Sequence, residues 1–260
     1  MDRSFLSQPE VIAASREFVC IRLISYESEA EKAFVASLKR GEVANTAFAL
    51  LAPDGSHAVR GRGPGRGPRD LYQDAAAMAK GMGEIAAKYP GKKAPGVPAL
   101  PVNLSAKVGL VVAASDLQPL LLVVAENPAR RQELESMVAK QAWSGEFEGR
   151  ITYASAAKPD ELPGIRGIGV NEGVVLIEPD IFGLSGKVVA ELPSAELETK
   201  LAKAMRETVA AHVKPEKTRR QMAQRGFQEG VFYETGIPVS GTGEARDRAR
   251  YKKQLEEKGK

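Results

Sequence analysis

The stretch LLLVVAENPARRQELESM (Leu120–Met137) carries six apolar residues into a short polar turn and then into an amphipathic run. The apolar half reads as a buried strand, which breaks at Asn127-Pro128 and restarts as a helix. A strand-to-helix turn is a common place to build a reactive site. This one contains no cysteine, histidine or serine.

Elements of the same kind extend on both sides. Downstream, RITYASA (150–156), GVVLIEPD (173–180) and GKVVAELP (186–193) read as strands, and SAELETKLAKAMRETVAAHV (194–213) as a helix capped by Ser194. Upstream, SAKVGLVVAASDLQ (105–118) is long and alanine-bearing enough to favour a helix. The proline- and glycine-rich segment 90–104 reads as a linker. Before it, Ser7-Gln8-Pro9-Glu10 reads as a helix start with Ser7 as cap, FVCIRLISY (18–26) as a buried strand, and 27–42 as a helix. TAFALLAPDG (46–55) is a strand entering a Pro-Asp-Gly turn with HAVRGRG as its hairpin partner, and 69–89 is a long alanine-rich helix.

The two halves repeat one another weakly: strand, Pro-Asp turn, strand and helix occur in each, preceded by strand and helix. The expected architecture is α/β, with two similar domains at 1–89 and 105–213, each a mixed sheet flanked by helices, and a tail at 214–260.

Bulk properties narrow the function. The 260 residues include one cysteine, which excludes an internal disulfide and a cysteine-based metal cluster. No apolar run spans a bilayer, and MDRSFLSQPEVIAAS lacks a signal-peptide core. The chain as it stands is expected in the cytoplasm, and in an exported form only if a signal peptide lies upstream of Met1. The net charge of +4 resides in the tail, where twelve Lys/Arg face seven Asp/Glu. Basicity therefore argues weakly for nucleic-acid binding by the folded body.

The order β-α-β-α-β-β-α resembles the thioredoxin-like fold. SAKVGLVVAASDLQPLLLVVAENPARRQELESM is similar to the entry of that family: helix, Pro-led central strand, then the active-site turn opening a helix. The resemblance implies a C-x-x-C in this turn, yet the equivalent positions are Glu126, Asn127, Pro128, Ala129 and Arg130, without a thiol. SFLSQPEVIAASREFVCIRLISYESE resembles the segment after the redox turn, which would place the first strand and any C-x-x-C of that domain upstream of Met1. The family's cis-proline position falls near Ala47 in VANTAFALL and near Gly173 in IGVNEGVVLI, and neither stretch contains a proline. The resemblance thus implies a non-catalytic protein-binding or scaffolding module. The alternative is a thiol-disulfide oxidoreductase whose C-x-x-C precedes Met1.

Other candidates have a functional and a plainer reading. Cys20, in an apolar run, is expected to be a small buried hydrophobe. Arg60, Arg62, Arg66 and Arg69 in RGRGPGRGPR could grip an anion, RNA or an acidic partner, making nucleic-acid binding through this loop and the tail a third possibility; the plainer reading is a solvated loop. Phe227, Val231, Phe232 and Tyr233 offer the tail an apolar anchor on a partner or a second subunit. GLSGKVV fails the phosphate-loop spacing at Ile181, and VSGTG fails the nucleophile elbow. His57 and His212 lie in different halves without a partner pattern. No metal or cofactor set is expected.

Overall fold

The computed structural model of the chain describes residues 5–38, 47–59, 65, 67–91, 96–162, 164–213, 219–231, 236–237, 249, 253 and 256–257. The side chains of 219, 220, 223 and 227 fall outside this description. The described residues divide into two compact units, drawn from 1–93 with 234–247 and from 94–233 with 248–260.

The first unit is helical: α1 (Pro9–Ser15), α2 (Glu29–Leu38) and α3 (Ala75–Lys88). Phe5 and Val11 are buried with Ala75, Met78 and Met82, so α1 lies along α3. Asp74 starts α3 by accepting the Ala77 N–H, and the segment before it is a short 3₁₀ turn, Pro68–Asp70. The long helix expected from residue 69 therefore begins later, where a carboxylate can satisfy a free N–H. At α1 the cap position belongs to Gln8 rather than Ser7.

The expected first sheet is absent from the described residues. One turn survives: Asp54 accepts the Ser56 N–H, and isolated bridges join Leu51 to His57 and Phe48 to Gly65. Residues 19–24 have no regular secondary structure and no strand partner among the described residues, with Val19 and Ile21 exposed by 88% and 73%. The Ile24 N–H is taken by the Glu31 carboxylate instead of a neighbouring strand. β-Branched residues favour a pleated, half-buried surface only when a partner strand supplies one. Cys20, expected to be buried, is exposed.

The second unit holds one four-stranded mixed sheet. Its elements are α4 (Ala106–Asp116), β1 (Leu120–Val124), α5 (Pro128–Ala142), β2 (Thr152–Ala156), β3 (Gly173–Pro179), β4 (Gly186–Pro193) and α6 (Leu197–Ala211). The strand order is β2-β1-β3-β4. β1 runs parallel to β2, while β3 is antiparallel to both β1 and β4. Between β2 and β3 lie a 3₁₀ turn, Pro159–Glu161, and described residues without regular secondary structure, in keeping with the loop expected there.

All five β1 residues are fully buried, because both faces of this central strand are covered. Leu121 and Val123 face one way, with Val174 and Leu176, against Leu134 and Val138 of α5 and Leu197, Leu201 and Met205 of α6. Leu120, Leu122 and Val124 face the other, with Val175 and Ile177, against Ala106, Leu110 and Ala113 of α4. This period-2 division fixes the register, since a slip of one residue would exchange the two layers.

Within the segment expected as a linker, described residues near its end pack along the edge of β2. Leu100 is buried, Val102 bridges Tyr153 in parallel, and Asn103 donates its main-chain N–H and its Nδ2 to the Tyr153 carbonyl, each at 2.9 Å. Trp143 Nε1 donates to the Ala99 carbonyl at 3.1 Å.

A further helix, α7 (Arg219–Glu229), ends at Gly230 in the left-handed region, with Val231 N–H returning to the Gly226 carbonyl. Gly226 lies against Phe182 in the β3–β4 turn, where an added Cβ would stand 3.0 Å from the ring. Among the described residues no helix is long and apolar enough to cross a membrane.

Candidate functional site

The turn Glu126–Arg130 lies at the C-terminal end of β1, where the buried strand reaches the surface. Asn127 Oδ1 accepts the N–H groups of Ala129 and Arg130 at 2.9 and 3.2 Å, and Pro128 occupies the first helical position. Two of the unpaired N–H groups of α5 are thereby satisfied by a neutral carboxamide. Arg131 Nη1 folds back onto the Ala125 carbonyl at 2.8 Å, tying the turn to the strand end. Glu126 points outward and meets Lys158 Nζ at 3.1 Å; with both side chains well exposed, this pair adds little stability.

Arg130 connects the turn to a distant part of the chain. Its Nη1 donates to Glu133 at 2.8 Å and its Nε to Glu172 at 2.9 Å. Those carboxylates hold the Arg130 guanidinium more firmly protonated than usual, Glu133 contributing most. In return, the Arg130 hydrogen bond, followed by one from Ser194, holds the Glu172 carboxyl below its ordinary range. Ser194 N–H also donates to the Glu172 carbonyl at 3.0 Å.

Glu172 stands immediately before Gly173, whose φ of 151° brings the chain very close to β4. A Cβ on Gly173 would lie 2.1 Å from the Leu192 carbonyl oxygen. Proline is equally excluded there, because its ring holds φ near −65°. One strand over, Glu191 Oε2 accepts the N–H groups of Gly169 and Val170, each at 2.9 Å. A shallow open groove of about 390 Å³ runs between Gly169–Glu172 and the end of β4 at Glu191 and Pro193.

The arrangement offers a guanidinium, carboxylates, a carboxamide and main-chain groups beside an open groove. The turn Glu126–Arg130 itself carries no thiol, hydroxyl or imidazole, and the nearby Ser194 is hydrogen-bonded to Glu172. Such a surface can hold a polypeptide by hydrogen bonds and charge. Among the described residues, no cluster of three or more His, Cys, Asp or Glu is placed to hold a metal ion.

Glu133, Glu172, Glu191 and Ser194 extend the site beyond the five residues of the turn. Of these four, the sequence singled out only Ser194, as a helix cap; the structure places it in a 3₁₀ turn, Ser194–Glu196, and gives the cap position of α6 to Glu196. Of the arginines in the Arg-Gly loop, Arg69 is exposed in the 3₁₀ turn before α3; Arg60, Arg62 and Arg66 lie outside the described residues. Of the tail anchors, Val231 is half-buried, while Phe232, Tyr233 and the side chain of Phe227 lie outside them. His57 is exposed, whereas the His212 side chain is 8% exposed and lies against the Glu178 carboxylate and the Leu117 carbonyl, partners too distant in sequence to form a pattern.

Comparison with known protein families, with curated proteins and with solved structures finds no match to this chain.

Proposed function

We propose that the second unit is a single thioredoxin-like module that binds polypeptide without thiol chemistry. The observation that carries this reading is the Asn127 carboxamide at the head of α5, accepting two N–H groups where a redox member of the family would present a thiolate. In support stands the element order, in which α5 connects the parallel strands β1 and β2, and the antiparallel β3–β4 pair leads into α6. The second helix of the family pattern is replaced by the 3₁₀ turn at Pro159–Glu161. The Arg130–Glu172 pair then serves as a charged margin to a peptide-binding groove.

One experiment with two readouts tests the reading. The intact chain is expected to show no insulin reduction above a Cys20→Ser control, because disulfide exchange by this family requires two thiols and the chain has one. It is expected to bind a reduced, carboxymethylated and therefore unfolded polypeptide, measured by fluorescence anisotropy. Arg130→Glu should weaken that binding about tenfold, the scale of losing one charge-assisted contact of about 1.4 kcal/mol. Turnover above the control, or equal binding by the variant, would overturn the proposal.

A further inference from the structure

At the opposite end of α5 from the Arg130 turn, an apolar knob stands beside a hole. Trp143 closes α5 and is 41% exposed, although its Nε1–H is held by the Ala99 carbonyl. The indole is therefore fixed in place and open to solvent at once. Ala99 also lines a cleft of about 300 Å³ between Val97–Leu100 and α5, whose buried apolar floor is Leu100 and Ala139. Val97, Val102 and Leu104 are exposed on the same margin. Among the described residues, four of the six large apolar side chains exposed in the second unit thus gather here. Exposed apolar side chains gathered in this way mark an interaction surface, and tryptophan is among the residue types that dominate such surfaces.

The charges of α5 narrow what the surface takes. Arg130 is bound by Glu133 and Glu172, and Arg131 by the Ala125 carbonyl. Glu135 and Lys140 are left; both line the cleft, and neither has an ion-pair partner among the described residues. Gln132, Ser136, Ala139 and Trp143 follow one another at intervals of four, three and four residues, the spacing of a single helical stripe. Ser136 turns its hydroxyl back onto the Gln132 carbonyl at 2.8 Å, so the middle of the stripe is small and already satisfied.

Such a stripe is complementary to itself. A two-fold axis crossing α5 between Ser136 and Ala139 lays a second copy antiparallel on the first. Ser136 then stands level with Ala139 of the second copy, Glu135 with its Lys140, and Gln132 with its Trp143. Opposite charges meet twice, small side chains let the helices approach, and each indole arrives at the Gln132 end of the facing cleft. The cleft is at the bottom of the range for small-molecule sites, about 300–1,000 Å³, but has room for one large side chain.

We propose that this face joins two copies of the chain as a symmetric dimer, with Trp143 of each seated in the cleft between Val97–Leu100 and α5 of the other.

Sedimentation equilibrium of the full-length chain tests it. The wild type is expected to dimerise with a Kd of about 1–100 µM, and its only tryptophan should shift its emission to longer wavelength on dilution, as the indole returns to water. Lys140→Glu sets two carboxylates together twice per dimer and should raise Kd at least about tenfold. The exchange Glu135→Lys/Lys140→Glu restores opposite charges and should return Kd to within about threefold of the wild type. A chain still monomeric at about 100 µM would overturn the proposal and leave the cleft to a different occupant. A dimer indifferent to the single reversal, or an exchange that restores nothing, would overturn it too. Should a charge variant fail to fold, the wild-type emission decides: an identical wavelength in monomer and dimer refutes the seating of Trp143.

Discussion

Gly173→Ala is expected to cost the second unit about 2–6 kcal/mol, combining the strain of a non-glycine residue at an unfavourable φ with an overpacked contact. At φ 151° the new Cβ would come within 2.1 Å of the Leu192 carbonyl oxygen, 3.0 Å of its carbon and 3.0 Å of the Pro193 Cα. All three are main-chain atoms of the paired strand, so no side-chain rotation relieves the clash. Either β3 and β4 separate at this end or the start of β3 is redrawn. Because Glu172 is the preceding residue, either outcome also displaces the partner of Arg130. The measurement is the denaturant midpoint with its slope, followed by Trp143 fluorescence. A loss below about 1 kcal/mol would mean that the strand end yields easily, contrary to the strain argued from the backbone.

Leu176→Ala is the second large effect, at about 3–5 kcal/mol. Leu176 is fully buried at the centre of β3, opposite Leu121 on one side and Ala190 on the other. Its side chain fills the layer between the sheet and helices α5 and α6, where well-packed neighbours can collapse only partly into a void. Val189→Ala on β4 is the control. That side chain is 44% exposed, so a change within about 0.5 kcal/mol is expected. Equal losses at the two positions would show that the buried layer is not the main source of stability.

Legibility followed how local the decisive interaction is. β1 could be read from its unbroken apolar run, because a strand covered on both faces needs no polar alternation. The start of α5 could be read because Asn127 and Pro128 act on the residues next to them. Residues 18–26 misled because a strand is a property of a pair: FVCIRL has the composition of one and no described partner. The apparent internal repeat failed with it, for among the described residues the first unit keeps the Asp54 turn and its helices but no sheet. At the site, Glu172 stands 42 residues from Arg130, and His212 lies 95 residues from Leu117. Neither pairing leaves a local spacing to recognise.

The packed segment at the edge of β2 also bears on how these molecules keep apart. An open strand edge is a template for another chain, and edge-to-edge growth is the route by which sheet proteins turn into fibres. Along β2 that place is taken by Val102 and Asn103, with Pro101 and Pro98 just before them. A proline nitrogen has no hydrogen to offer an incoming strand. The far edge ends in Pro193 and carries Lys187 near its start, a residue type that discourages stacking of like edges. Removing both prolines in Pro98→Ala/Pro101→Ala would leave the fold's core intact while restoring two donors to a sheet margin. That variant is expected to form fibres faster than the wild type, followed by light scattering; equal rates would mean that the prolines do not guard this edge.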